Sequence, residues 1–152
     1  MMETYQKISG VDKMRRTEKI RDGTCWIEEK IDGSQFRAYV HNNERIYGSK
    51  SQSPPDGMFA LGVENMDRVL SPTAFGTPVI FFAEYLKKPK HNTLAYDRVP
   101  KDNLIVFDVK FGNEWLRPPE KRTLCANIGL ECVPTLAQIQ GAQLTPEYLE
   151  KL

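Results

Sequence analysis

Cys25-Trp26-Ile27-Glu28-Glu29-Lys30-Ile31-Asp32-Gly33-Ser34-Gln35-Phe36-Arg37-Ala38-Tyr39-Val40 is the stretch whose reading decides the fold. Residues 25–29 and 35–40 are runs of aromatic, β-branched and alternating side chains, the composition of half-buried strands. Between them, Lys30 to Ser34 reads as a tight turn, with Gly33 letting the chain reverse. Lys30 therefore stands at the mouth of a strand–turn–strand, with a carboxylate two residues on. A lysine in such a place becomes a nucleophile when its surroundings depress its pKa.

Working outward, residues 45–49 form a third strand and complete a meander after the turn at His41-Asn42-Asn43. Ser53-Pro54-Pro55-Asp56-Gly57 breaks the pattern. Apolar residues at helical spacing (Phe59, Val63, Met66, Val69, Leu70) then predict a helix over 58–70. Residues 79–86 and 104–110 are continuous apolar runs, the pattern of buried strands. A second helix is expected from Pro119 to Ile128, stopped by Gly129. Val133 to Leu136 reads as extended. Thr145, Pro146 and Glu147 have the order of an N-cap, a first helical position and an acidic first turn. The pattern is α+β with antiparallel sheets, and no repeat or linker divides it, so one domain over 1–152 is expected.

The 152 residues are 40% hydrophobic, enough for one sizeable core. No apolar run reaches the roughly 18 residues of a membrane span, and no signal peptide opens the chain. Cys25, Cys125 and Cys132 have no paired metal spacing, which predicts reduced thiols in a cytoplasmic protein. The net charge of +1 is low for a chain that grips a phosphate backbone, so its basic residues must be clustered or its basic partner surface must lie elsewhere.

Four ordered segments carry a family resemblance over about residues 20–140. Lys30-Ile31-Asp32-Gly33 resembles motif I of the covalent nucleotidyltransferases, the superfamily of polynucleotide ligases and mRNA capping enzymes. Ser49-Lys50 sits where motif Ia belongs. Phe81-Phe82-Ala83-Glu84-Tyr85-Leu86 resembles motif III, with Ala83 where relatives usually have glycine. Leu104-Ile105-Val106-Phe107-Asp108-Val109 resembles motif IIIa. The connector Lys88 to Pro100, with His91-Asn92, looks like that of bacterial and phage RNA ligases. The resemblance implies the adenylyltransferase core of an ATP-dependent RNA ligase, working in the cytoplasm of a bacterial or phage-infected cell, in RNA repair. It implies ATP and Mg²⁺ as cofactors and RNA 5′-phosphate and 3′-hydroxyl ends as partners.

The resemblance also implies residue roles. Lys30 attacks the α-phosphate and carries AMP on its amine. Asp32 holds a water of the metal, and Glu84 binds ribose hydroxyls or metal-bound waters. Glu29 contacts the adenine amine, and Ile31 and Gly33 line the nucleotide. Gln35 and Arg37 lie beyond the turn, where the Arg37 fork suits ribose or phosphate oxygens. Lys50 faces the phosphates, and Phe107 offers its ring to the base. Tyr96 and Arg98 of the connector, with His91-Asn92, are candidates for RNA contact.

The family's two later motifs, a glutamate strand and a paired-lysine strand, have no counterpart after Asp108. The chain thus reads as the front portion of a ligase core, with the late groups on a missing segment or a second chain. Three other readings fit the same motifs: a capping-type guanylyltransferase, a DNA ligase, and a non-catalytic remnant that binds nucleotide or a partner protein.

Overall fold

The computed structural model describes residues 2–8 and 23–152. The chain forms two compact units, Met1–Tyr5 with Lys30–Val133, and Gln6–Glu29 with Pro134–Leu152.

The larger unit is built on a mixed sheet. Strands β2 (Ser34–His41), β3 (Glu44–Gly48), β4 (Val79–Tyr85), β5 (Leu104–Phe111) and β6 (Glu114–Trp115) run in the order β3-β2-β4-β5-β6, all neighbours antiparallel. Short β7 (Glu131–Cys132) pairs in parallel with β5. The β2–β3 hairpin turns at Asn42 and Asn43, both at positive φ (48° and 63°), a conformation asparagine tolerates better than most residues.

One face of this sheet is the core. Phe36, Ala38, Val40, Phe81, Ala83, Tyr85, Leu104, Val106 and Val109 are buried against two helices. Helix α1 (Ala60–Val69) brings Met66; Phe59 and Leu70 join from its flanks. Helix α2 (Pro118–Ile128) brings Cys125 and ends at Gly129, whose φ of 86° is the left-handed stop the sequence predicts. The other face holds a smaller cluster of Met2, Ile80 and Phe82, with Tyr5, Tyr39 and Phe107 packed on it. Both faces of β4 are covered, which is why Val79 to Tyr85 reads as a continuous apolar run broken only by Glu84.

The β2–β3 half of the expected meander forms, but its first strand goes elsewhere. Strand β1 (Thr24–Glu28) pairs antiparallel with β8 (Thr135–Gln140) in the smaller unit, not with β2. Residues 29–33 are therefore a connection between two sheets rather than a hairpin turn. Short-range pattern shows that a strand exists but not which partner takes its backbone hydrogen bonds, and here the partner lies more than a hundred residues on. The smaller unit ends in α3 (Pro146–Glu150), where Thr145 Oγ1 accepts from the Tyr148 N–H at 3.1 Å, as its N-cap pattern predicts.

Candidate active site

The site face is set by strand alternation. On β2, Gln35 and Arg37 point opposite to core-facing Phe36; on β4, Glu84 points opposite to Ala83 and Tyr85. Gln35 lies directly across from Glu84, and Arg37 across from Phe82. On β5 the register jumps from Phe82↔Asp108 to Ala83↔Val106, leaving Phe107 as an extra residue. This bulge turns Phe107 and Asp108 to the same side. Phe107 packs with Phe82, and Asp108 accepts a 2.8 Å hydrogen bond from the Tyr5 hydroxyl. The Tyr5 ring meets Phe107 edge-on, centroids 5.0 Å apart. From the core side, buried Lys121 of α2 donates to the Phe107 carbonyl at 2.7 Å, fixing the backbone at the bulge.

Lys30 is exposed at the start of this unit, Ile31 follows half-buried, and Asp32 and Gly33 lead into β2. The Gly33 N–H donates to Glu84 Oε2 at 3.0 Å. Gly33 is needed for proximity rather than for chain reversal. A Cβ there would sit 2.7 Å from the Tyr85 carbonyl oxygen and 2.7 Å from Leu86 Cδ1. Burial pushes the Glu84 carboxyl up to about 7; the Gly33 hydrogen bond and the Lys30 ammonium pull the other way, and the Asp32 charge adds to the rise. Glu84 thus feels the charges of Lys30 and Asp32 at one end of the sheet. Beside them, the Gln35 Oε1 atom is buried without a donor among the described residues.

The Asp32 carboxylate is held by the connector. Oδ2 accepts from the Thr93 and Leu94 N–H groups, both at 2.9 Å, and Oδ1 from the Asn92 amide at 3.3 Å. The Leu94 and Thr93 bonds keep its pKa below the usual carboxylate range. His91 Nδ1 accepts from the Lys87 N–H, so the neutral ring carries its proton on Nε2 and donates it to Ser34 Oγ at 2.8 Å.

Arg37 is on the expected face, but four of its five N–H donors are already committed. Nε donates to the Ser49 carbonyl (2.5 Å), Nη1 to those of Met2 (3.2 Å) and Glu3 (3.0 Å), and Nη2 to that of Gln52 (3.3 Å). At 2% exposure it is a structural hub, not a free fork for ribose or phosphate. An Arg in a strand looks the same in sequence in either role. Its carbonyl partners identify it, and they lie on segments that only the fold assembles. The Ser49–Gln52 turn it holds carries exposed Lys50. Glu29 belongs to the smaller unit, where its N–H donates to the Pro134 carbonyl at 3.2 Å. Arg98 pairs with Glu131 at 2.6 Å.

The sequence reading missed Tyr5 and Lys121, which brace Phe107 from its two sides. A tyrosine near a chain end and a lysine on a helix carry no signal until packing places them. A groove of about 670 Å³ beside β3, lined by Tyr47, Pro54, Pro55 and Asp67 among others, contains none of the site residues.

The residues fit a nucleotide with a divalent cation. No group of three or more His, Cys, Asp or Glu converges among the described residues. Asp32 in the Lys30–Gly33 segment and Glu84, which accepts from the Gly33 N–H, are two carboxylates at this site, and Mg²⁺ is commonly held by one or two carboxylates while it keeps several waters and shares its coordination with substrate phosphates. The orphaned Gln35 oxygen leaves an acceptor for a ligand hydroxyl or amine. Among the described residues no helix is long and apolar enough to cross a membrane.

Solved structures with this fold include the RNA ligase of Naegleria gruberi. Its complex with pyrophosphate matches with a TM-score of 0.70 and 14% identity, over 97% of this chain and 46% of that one. Its K326A mutant with ATP and Mn matches with a TM-score of 0.63 and 14% identity, over 88% and 41%. The Early 65 kDa protein of Autographa californica nuclear polyhedrosis virus is 24% identical over 146 residues, covering 87% of this chain and 26% of that protein. The chain thus spans less than half the length of the solved relatives and about a quarter of the viral one. The RNA ligase family profile matches residues 23–152, most of the chain, and with that match the chain belongs to the RNA ligase family.

Proposed function

We propose that this chain carries the nucleotide-attachment site of an ATP-dependent RNA ligase, with Lys30 as nucleophile. The observation that carries the reading is the Gly33–Glu84 hydrogen bond, which ties the Lys30–Gly33 segment to the end of the sheet face that also bears Gln35 and Phe107. Lys30 Nζ, having released its proton to solvent, attacks the ATP α-phosphorus. A P–N bond forms, the bond to the β-phosphate oxygen breaks, and pyrophosphate leaves. The AMP then passes to an RNA 5′-phosphate, and a 3′-hydroxyl displaces it to join the ends.

Phe107 supplies a face for adenine, held by Tyr5 and by the Lys121 bond to its carbonyl. The Gln35 oxygen accepts from a ribose hydroxyl, and Lys50 approaches the phosphates. Glu84 and Asp32 would hold a Mg²⁺ ion through its waters, and the ion when bound would offset the charge that develops on the phosphates. Asp32 Oδ1, engaged among the described residues only by the long Asn92 bond, has lone pairs to spare for that water. The reading sets this activity in the cytoplasm of a bacterial or phage-infected cell, and the viral relative supports only an infected cell as the setting.

Incubation with ATP labelled at the α-phosphate and Mg²⁺, followed by a denaturing gel, tests the reading. Label is expected on the chain from α- but not γ-labelled ATP, and none on Lys30→Ala. The yield is expected to be low from these 152 residues alone, because no strand among the described residues presents paired lysines. Each absent preorganised charge costs roughly 10²–10³ in rate. Label that survives Lys30→Ala overturns the assignment, and a preference for GTP over ATP makes the protein a capping-type guanylyltransferase instead.

A further inference from the structure

The connector between β4 and β5 has little of its own to hold it in place. Lys87, Lys88 and Lys90 are exposed, and Leu94 is 52% exposed. Its internal order consists of the Tyr96 N–H to Pro89 carbonyl bond (3.0 Å), the Lys90–Ala95 bridge and the Lys87–His91 contact. Yet it is tied firmly to the Lys30–Ser34 segment, some sixty residues earlier. Asp32 is the centre of that tie. Its carboxylate takes the Thr93 and Leu94 N–H groups and the Asn92 amide, and its own N–H donates to the Tyr96 hydroxyl at 2.8 Å. Asn92 adds a 2.8 Å bond to the Gly33 carbonyl, and His91 the bond to Ser34. Bonds from N–H groups to an ionised acceptor are the stronger kind.

We propose that Asp32 is a positioning residue: it docks the Lys87–Arg98 connector onto the Lys30 turn, and the docked connector in turn holds the Lys30 backbone in place against Glu84. This rests on the reading of Lys30 as nucleophile, and it gives Asp32 a task separate from any metal-bound water. The two tasks respond differently to substitution. Asp32→Asn keeps an acceptor oxygen for the Thr93 and Leu94 N–H groups and loses the charge. Asp32→Ala loses both.

Amide exchange on the nucleotide-free chain reads the docking directly. In the parent, the Thr93 and Leu94 amides are expected to exchange at least about tenfold more slowly than the exposed Lys88 amide. Asp32→Ala is expected to remove that protection and Asp32→Asn to retain most of it. Tyr96→Phe, a milder change that keeps the fold if Asp32→Ala does not, is expected to speed exchange at the Asp32 amide. In the labelling assay, Asp32→Ala, which loses the docking and the charge, is expected to fall by about 10²-fold or more, the scale of a misplacement near 1 Å, and Asp32→Asn, which loses only the charge, to fall clearly less. Unprotected Thr93 and Leu94 amides in the parent overturn the proposal. So does an Asp32→Asn chain that keeps the protection but labels as poorly as Asp32→Ala. Label that survives Lys30→Ala sinks the lysine reading, while the exchange measurements decide the docking by themselves.

Discussion

The Gly33 N–H and the Glu84 carboxylate are joined by a 3.0 Å hydrogen bond that fixes the turn after Lys30 to the end of β4. Motif I and motif III, fifty-one residues apart in sequence, meet at this bond. It also places a carboxylate with a pKa pushed up to about 7 beside the proposed nucleophile.

That raised pKa makes a prediction about stability. The folded chain holds the Glu84 proton more tightly than the unfolded chain, so between about pH 4.5 and 7 the folded state binds more protons. The contribution of Glu84 is therefore largest at low pH and is lost as pH rises through the folded value. At 1.36 kcal/mol per unit, the upper bound is about 3 kcal/mol, reduced by the solvent that reaches this partly exposed group. Urea denaturation at a series of pH values should show Glu84→Gln gaining stability over the parent as pH rises across this window. A difference that is flat, or of opposite slope, contradicts the assignment.

Gly33→Ala should be costly although its backbone needs no glycine conformation. Its Cβ would press on the Tyr85 carbonyl oxygen and Leu86, both 2.7 Å away, and relief must come from moving the turn. Overpacking of this kind costs roughly 1–3 kcal/mol. The melting temperature should fall, and the label on Lys30 should fall with it. An unchanged melting temperature shows that the turn has room to move.

Arg37→Lys should fail as a conservative change. A lysine carries three donors on one atom and cannot span the carbonyls of Met2, Glu3, Ser49 and Gln52 together. Leaving buried carbonyls unpaired costs roughly 1–3 kcal/mol each where water cannot replace the donor. Denaturation should show a loss of about 2–4 kcal/mol. Proteolysis should open the Ser49–Gln52 turn before the sheet melts. A near-neutral Arg37→Lys would show that water or relaxed geometry satisfies those groups.

Lys121→Met should act on nucleotide binding from the far side of the sheet. It removes the 2.7 Å bond to the Phe107 carbonyl while keeping the apolar stem. Weaker ATP binding, by about three- to tenfold, with CD spectra unchanged, is the expected result. Titration of ATP against intrinsic fluorescence provides the measurement, since Trp115 lies 5.5 Å from Phe82 in the same aromatic group. Equal affinity in parent and variant would separate Phe107 from the base.

The sequence by itself determined the elements and their chemistry. The alternation of β2, the apolar runs of β4 and β5, the two core helices with Gly129 as a stop, and the Thr145 cap are local signals, and local sterics and hydrogen bonding impose them. It also marked Lys30, Glu84 and Phe107 as candidates for one cleft. Only the tertiary structure decided which strand pairs with β1, because a backbone ladder accepts any partner and the choice falls to a segment more than a hundred residues away. It also decided what the polar groups do. Arg37 is spent on carbonyls, Asp32 on the connector, and Gly33 on a close approach to Tyr85. A side chain's partners are set by what packing brings within about 3 Å of it, and sequence spacing carries no record of that distance.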